Sequence, residues 1–147
     1  MRRIIAVLVV VAVAAGIGFL FRDRLTGNAG DLQVGDCFMV PAGDTVNDVQ
    51  HHPCAEAHDG EVFVVDKYSG TDTYPSTDDF DAWAAQYCGP AFQTYTGDSY
   101  DTRNDLSIGY FYPLEDGWGK GDRQMICYLT PLPEGTTVTV SYKKAGN

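Results

Sequence analysis

Residues 76–95, STDDFDAWAAQYCGPAFQTY, decide the fold class. Ser76 or Thr77 can cap a helix, and Asp78 and Asp79 lie in the positive first turn that follows. Phe80, Trp83, Ala84, Tyr87 and Cys88 then recur at helical spacing. The stripe reads as a core-facing helix surface, to be fixed to a sheet through Cys88. Gly89-Pro90 is expected to stop or kink this helix, with Ala91 to Tyr95 adding another turn.

On either side of this helix the pattern changes to strands. Upstream, Leu32 to Val40 (LQVGDCFMV) is a first candidate. Pro41 to Asp48 carries turn residues, and Val49 to Cys54 returns as its partner. Val62 to Val65 is a short β-branched and aromatic run suited to a buried strand. Downstream, Leu106 to Tyr112 and Arg123 to Leu129 are strands joined by the glycine-rich Pro113 to Asp122. Thr136 to Tyr142 alternates as a last strand with one wet face. Strands before and after one helix give an α+β domain: a small, mostly antiparallel sheet packed against one main helix.

The N-terminus is a different kind of segment. Ile4 to Phe21 is a run of eighteen residues without a charge. As a helix it spans about 27 Å, close to a hydrocarbon core of about 30 Å. Ala12-Val13-Ala14 has the A-x-A form of a signal-peptide cleavage site, but the apolar run continues past it, which favours a retained anchor. Arg2, Arg3 and the terminal amine outweigh Arg22-Asp23-Arg24, which places the N-terminus in the cytoplasm and the rest of the chain outside. The expected organisation is an anchor over 1–24, a short linker over 25–31, and an extracytoplasmic domain over 32–147 of a single-pass cell-membrane protein.

Charge and cysteines agree with that compartment. From Leu25 onward six basic residues face nineteen acidic ones, a net −13. A field of that sign repels phosphate backbones and excludes nucleic acid as a partner. The four cysteines, Cys37, Cys54, Cys88 and Cys127, are widely spaced and lack a C-x-x-C motif, which beyond a translocation signal reads as two disulfides. Of the three possible pairings, Cys37–Cys54 and Cys88–Cys127 are favoured. The first would link neighbouring strands of one hairpin, and the second would tie the helix to a later strand. Zinc is the rival reading, but it needs reduced thiolates.

Short motifs in order resemble one known family. They are V-G-D-C-F (Val34 to Phe38), C-x3-H-x2-E-V (Cys54, His58, Glu61, Val62), the lone helical Cys88, and P-x4-W-x2-G-D-R-x3-C (Pro113, Trp118, Gly121, Asp122, Arg123, Cys127). Together, up to about Leu129, they resemble the septum-formation domain family of actinobacteria, whose members are typically displayed behind an N-terminal membrane helix. The resemblance implies a cell-envelope context and supports two disulfides. It implies no reaction, no catalytic residue and no cofactor.

Candidate sites are few. His58 and Glu61 are the weak metal candidates, with His51, His52 and Cys54 nearby; the structural reading has His58 and Glu61 bonded to each other or to a turn, with His51 and His52 as incidental surface. A hydrolase would take His58 as its general base, oriented by Asp59 or Glu61, but there is no G-x-S-x-G and no cysteine left over as nucleophile. Asp122 and Arg123 are expected to form an ion pair with the Trp118 indole stacked on the guanidinium. The acidic stretch Asp72 to Asp81 lacks calcium-loop spacing. The expectation is therefore a non-enzymatic domain that binds an envelope or divisome protein, or a cell-wall component, in septum formation. The alternative is a metal-dependent or hydrolytic enzyme centred on His58 and Glu61.

Overall fold

The capping signal at Ser76 is realised in full. The Ser76 hydroxyl accepts the Asp79 N–H, and the Asp79 carboxylate accepts the Ser76 N–H at 2.9 Å. The Ser76 hydroxyl also donates to the Asp79 carboxylate at 2.6 Å, and this bond, with that from the Ser76 N–H, holds the Asp79 carboxyl below the usual carboxylate range. In this computed structural model, which describes residues 26–146 apart from 44, 45 and 47, the helix they open (α1) runs over Thr77–Thr96. It does not stop at Gly89-Pro90. Gly89 has no Cβ to clash with the proline ring, and the helical bond that Pro90 cannot donate would have gone to Gln86, whose position faces solvent. Beyond the proline, Phe92 and Tyr95 continue the buried stripe of Phe80, Trp83, Ala84 and Cys88. Gly97, at φ 85°, ends the helix and donates its N–H to the Gln93 carbonyl.

The strands are β1 (Thr26–Asn28), β2 (Cys37–Met39), β3 (Asp48–His52), β4 (Gly60–Lys67), β5 (Leu106–Phe111) and β6 (Gln124–Pro131). They form one antiparallel sheet in the order β1-β3-β2-β4-β6-β5. One further turn of helix, α2 (Glu115–Gly119), lies in the glycine-rich connection. The expected α+β class is present. Thr26–Asn28 of the expected linker pairs with β3, so the sheet extends back to Thr26.

The last expected strand is not formed. Residues 136–142 make only an isolated bridge between Val138 and His58. Their polar groups are taken from elsewhere: Val138 exchanges two backbone bonds with His58, and Tyr142 donates to Glu61. The segment crosses the sheet end as a strap, with Val140 62 % exposed.

Both faces of the sheet carry apolar packing. A bulge between Val62 and Val64 turns Phe63 and Val64 together toward α1, where they join Phe80, Trp83, Phe92, Leu106, Met125 and Leu129. Leu32, Phe38, Val49, Val62 and Ile126 fill the opposite face. Two glycines there stand directly across from an aromatic ring, Gly60 from Phe38 and Gly109 from Tyr128. A Cβ on Gly60 would come within 2.6 Å of the Phe38 ring, so the ring lies over the bare backbone. Cys37–Cys54 links the β2–β3 region with Cα atoms 5.3 Å apart, and Cys88–Cys127 ties α1 to β6 at 5.9 Å. Both are the pairs favoured from sequence. The described residues contain no helix long and apolar enough to cross a membrane. The apolar run from Ile4 to Phe21 lies outside them.

Candidate functional site

Glu61 stands at the start of β4, opposite Cys37 on β2, with its side chain on the α1 face. It is fully buried, and three donors surround it. Oε1 accepts the Tyr95 hydroxyl at 2.7 Å and the Ser141 hydroxyl at 2.6 Å; Oε2 accepts the Tyr142 N–H at 2.8 Å. A buried carboxylate is tolerated only with such partners. Burial pushes the Tyr95 hydroxyl far above its ordinary pKa, and the bond to Glu61 raises it further.

His58 precedes β4 and is 1 % exposed. Its Nδ1 lies 2.8 Å from the Glu56 carbonyl, so Nδ1 carries the hydrogen, and in the neutral ring Nε2 holds a bare lone pair. That Nε2 is buried and has no hydrogen-bond partner among the described residues. Donor atoms of His58, Glu61 and Cys37 all fall within 4.8 Å of one another. The Cys37 sulfur is held in the bridge to Cys54, and a disulfide sulfur is not a thiolate ligand. The expected closeness of His58 and Glu61 is therefore present, but Glu61's bonds go to Tyr95, Ser141 and Tyr142.

The other two histidines are not members of this group, although His52 stands opposite Cys37. His51 is not incidental surface: it is 8 % exposed on β3, with Nδ1 3.9 Å from an Asp36 carboxylate oxygen. His52 is half-buried beside the first disulfide, and its Nε2 has no partner among the described residues.

Arg123 belongs to a second cluster. Its guanidinium lies 3.7 Å from the Trp118 ring centroid and donates to the carbonyls of Trp118 at 2.7 Å and Asp122 at 2.8 Å. The stacking is as expected; the Asp122–Arg123 ion pair is not formed. Asp122 turns its carboxylate to the Gln124 N–H at 3.0 Å, because Arg123 is drawn over the indole and onto the carbonyls of Trp118 and Asp122. Trp118 in turn donates its indole N–H to the Asp72 carbonyl at 2.9 Å and packs among Tyr68, Tyr74 and Phe80. Arg123 thus stitches the α2 loop to the sheet.

These two clusters do not converge. Glu61 pairs with Leu129 and Lys67 with Gln124, so Arg123 lies at the opposite end of the β4–β6 ladder. At about 3.3 Å per residue that is roughly 20 Å away. Tyr95, Ser141 and Tyr142 were not singled out from sequence. Tyr95 had a legible signal, since it extends the stripe of α1 past the proline. Ser141 and Tyr142 had none, being eighty and eighty-one residues from Glu61.

A family model described as septum formation matches residues 34–147. No curated protein and no solved structure matches the chain.

Proposed function

The chain belongs to the septum formation family, and from that premise we propose that it is a non-enzymatic envelope domain that binds a protein or cell-wall partner during septation. On this reading Ile4 to Phe21 anchors it in the bilayer, the N-terminus lies in the cytoplasm, and the disulfide-linked domain is displayed outside. The two disulfides support the oxidising side of the membrane. One observation carries the non-enzymatic part: the acid–base pair that an enzyme would use is sealed in the interior, with Glu61 committed to Tyr95, Ser141 and Tyr142. A general base must reach the proton it removes, and His58 and Glu61 reach no solvent. The test is capture from envelope extracts with the full chain as bait, against a bait whose exposed residues are scrambled. Recovery of a defined partner by the native surface alone is expected; equal recovery by both baits refutes the binding role.

The unpartnered Nε2 of His58 favours a second reading, a metal centre with Glu61. Elemental analysis of the oxidised protein, repeated on His58→Ala, separates the two. Stoichiometric metal lost in the variant supports the metal enzyme; the binding reading expects none in either.

A further inference from the structure

The two outer strands of the sheet differ: β1 has three residues and β5 has six. The Leu132 N–H donates to the Asp105 carbonyl at 2.8 Å, and these two residues face each other one step beyond the Leu106–Pro131 pair. That bond fixes the phase of the ladder. Ser107, Gly109 and Phe111 exchange bonds with β6, so Ile108 and Tyr110 turn their N–H and C=O groups outward. Among the described residues those outward groups meet no partner.

A groove lies along each side of this edge. On the helix side a mostly apolar hollow of about 340 Å³ runs between β5 and the small residues Ala84, Ala85 and Gly89 of α1. Nothing lies within 4 Å of the point where a Gly89 side chain would begin. On the other side a hollow of about 170 Å³ is walled by Val40, Phe111 and Tyr128. A strand laid along β5 would send alternate side chains into the two grooves.

Both ends of the edge are acidic. Asp101 and Asp105 stand near Leu106; Asp81, bonded to the Tyr110 hydroxyl, stands near the other end, followed by Glu115 and Asp116. Arg103, held at 2.8 Å by both Asp98 and Asp105, offsets only one of the three aspartates there, Asp98, Asp101 and Asp105, so that end keeps a net negative charge. A second copy is thereby disfavoured. Antiparallel pairing of two β5 strands would set acidic end against acidic end between bodies that each carry a strong negative charge. Charge complementarity selects a basic occupant.

We propose that β5 is a docking edge, which a basic, extended segment of a partner protein with alternating apolar side chains joins as an added strand. This rests on the binding role above and gives it a location. The test uses the full chain in zwitterionic nanodiscs and a synthetic peptide of alternating lysine and valine. Expected on binding is an about tenfold slowing of amide exchange at Ile108 and Tyr110, with Ser107 and Gly109, already bonded to β6, unchanged. A glutamate–valine peptide and a backbone N-methylated lysine–valine peptide should both fail to bind. Ile108→Pro removes an outward N–H and should abolish docking. Ala85→Arg, on the exposed side of α1, should weaken docking about tenfold or more with an unchanged circular dichroism spectrum. Equal binding of the acidic peptide, binding without protection at Ile108 and Tyr110, or self-association through this edge overturns the proposal. If envelope capture persists in Ile108→Pro, the edge fails and the binding role stands. If the peptide docks as expected but native bait captures nothing, the edge stands and the septal binding role fails.

Discussion

Tyr95→Phe is the cleanest perturbation of the buried acid. The ring keeps its place, 6.1 Å from Phe63 by centroid, and only the hydroxyl is lost. Glu61 then retains Ser141 on Oε1 and the Tyr142 N–H on Oε2. A hydrogen bond to a charged group contributes about 1.5–3 kcal/mol, so the variant should lose about 2 kcal/mol. For a domain of this size that lowers Tm by roughly 6–10 °C. Ser141→Ala should cost a similar amount. Because both hydroxyls serve the same oxygen, the double variant should cost about 1 kcal/mol more than the sum of the two. Urea and thermal unfolding of the oxidised protein, followed by the fluorescence of the buried Trp83 and Trp118, give these values. The pH dependence provides an independent check. The Tyr95 pKa is raised in the folded protein, so below pH about 10 the hydroxyl is protonated in native and unfolded chains alike and its contribution to stability is fully present. Above that pH the unfolded chain releases the proton while the native state holds it, and stability falls. Tyr95→Phe should make this alkaline decline shallower. A loss below about 0.5 kcal/mol, or an unchanged alkaline slope, would refute the assignment of Tyr95 as a principal partner of Glu61.

Three further outcomes follow from the fold. Gly109→Ala places a methyl group into the Tyr128 ring and should cost about 1–3 kcal/mol in urea unfolding, most of it restored by adding Tyr128→Val. Cys88→Ala with Cys127→Ala opens a 39-residue separation and should lower stability by about 4 kcal/mol, against about 3 kcal/mol for the Cys37 and Cys54 pair at 17; the reverse order of urea midpoints would contradict it. Arg123→Met keeps the stem but loses the indole contact and two carbonyl bonds; a cost of about 1–2 kcal/mol and altered Trp118 emission are expected.

Local signals carried most of the fold. The cap at Ser76, the β-branched run of β4 and the stripe of α1 each act over a few residues and appear where they were expected, except that Tyr87 of the stripe is exposed; the four cysteines pair as expected across longer stretches. The errors arose where tertiary contacts overrode local preference. Pro90 is accommodated because its missing bond falls on the wet side of a helix held down by Phe92 and Tyr95. The alternating segment from Thr136 to Tyr142 has strand chemistry, but His58 and Glu61 claim its polar groups before a ladder can. At the candidate site, His58 and Glu61 were visible as residue types three positions apart, whereas their burial was not. Burial is set by α1 and the strap, which arrive from distant parts of the sequence.

The position of the strap bears on the order in which the fold can close. β4 is synthesised before the strap, with Glu61 eighty residues ahead of Ser141, and it carries a carboxylate that the finished fold shuts away from water. Until Ser141 and Tyr142 follow, closing the sheet over Glu61 would strand a buried carboxylate with Tyr95 as its main donor, so that end of the core stays hydrated. Completion of the chain thus becomes a condition for sealing it: a nascent or clipped domain that lacks the strap remains open to water at Glu61.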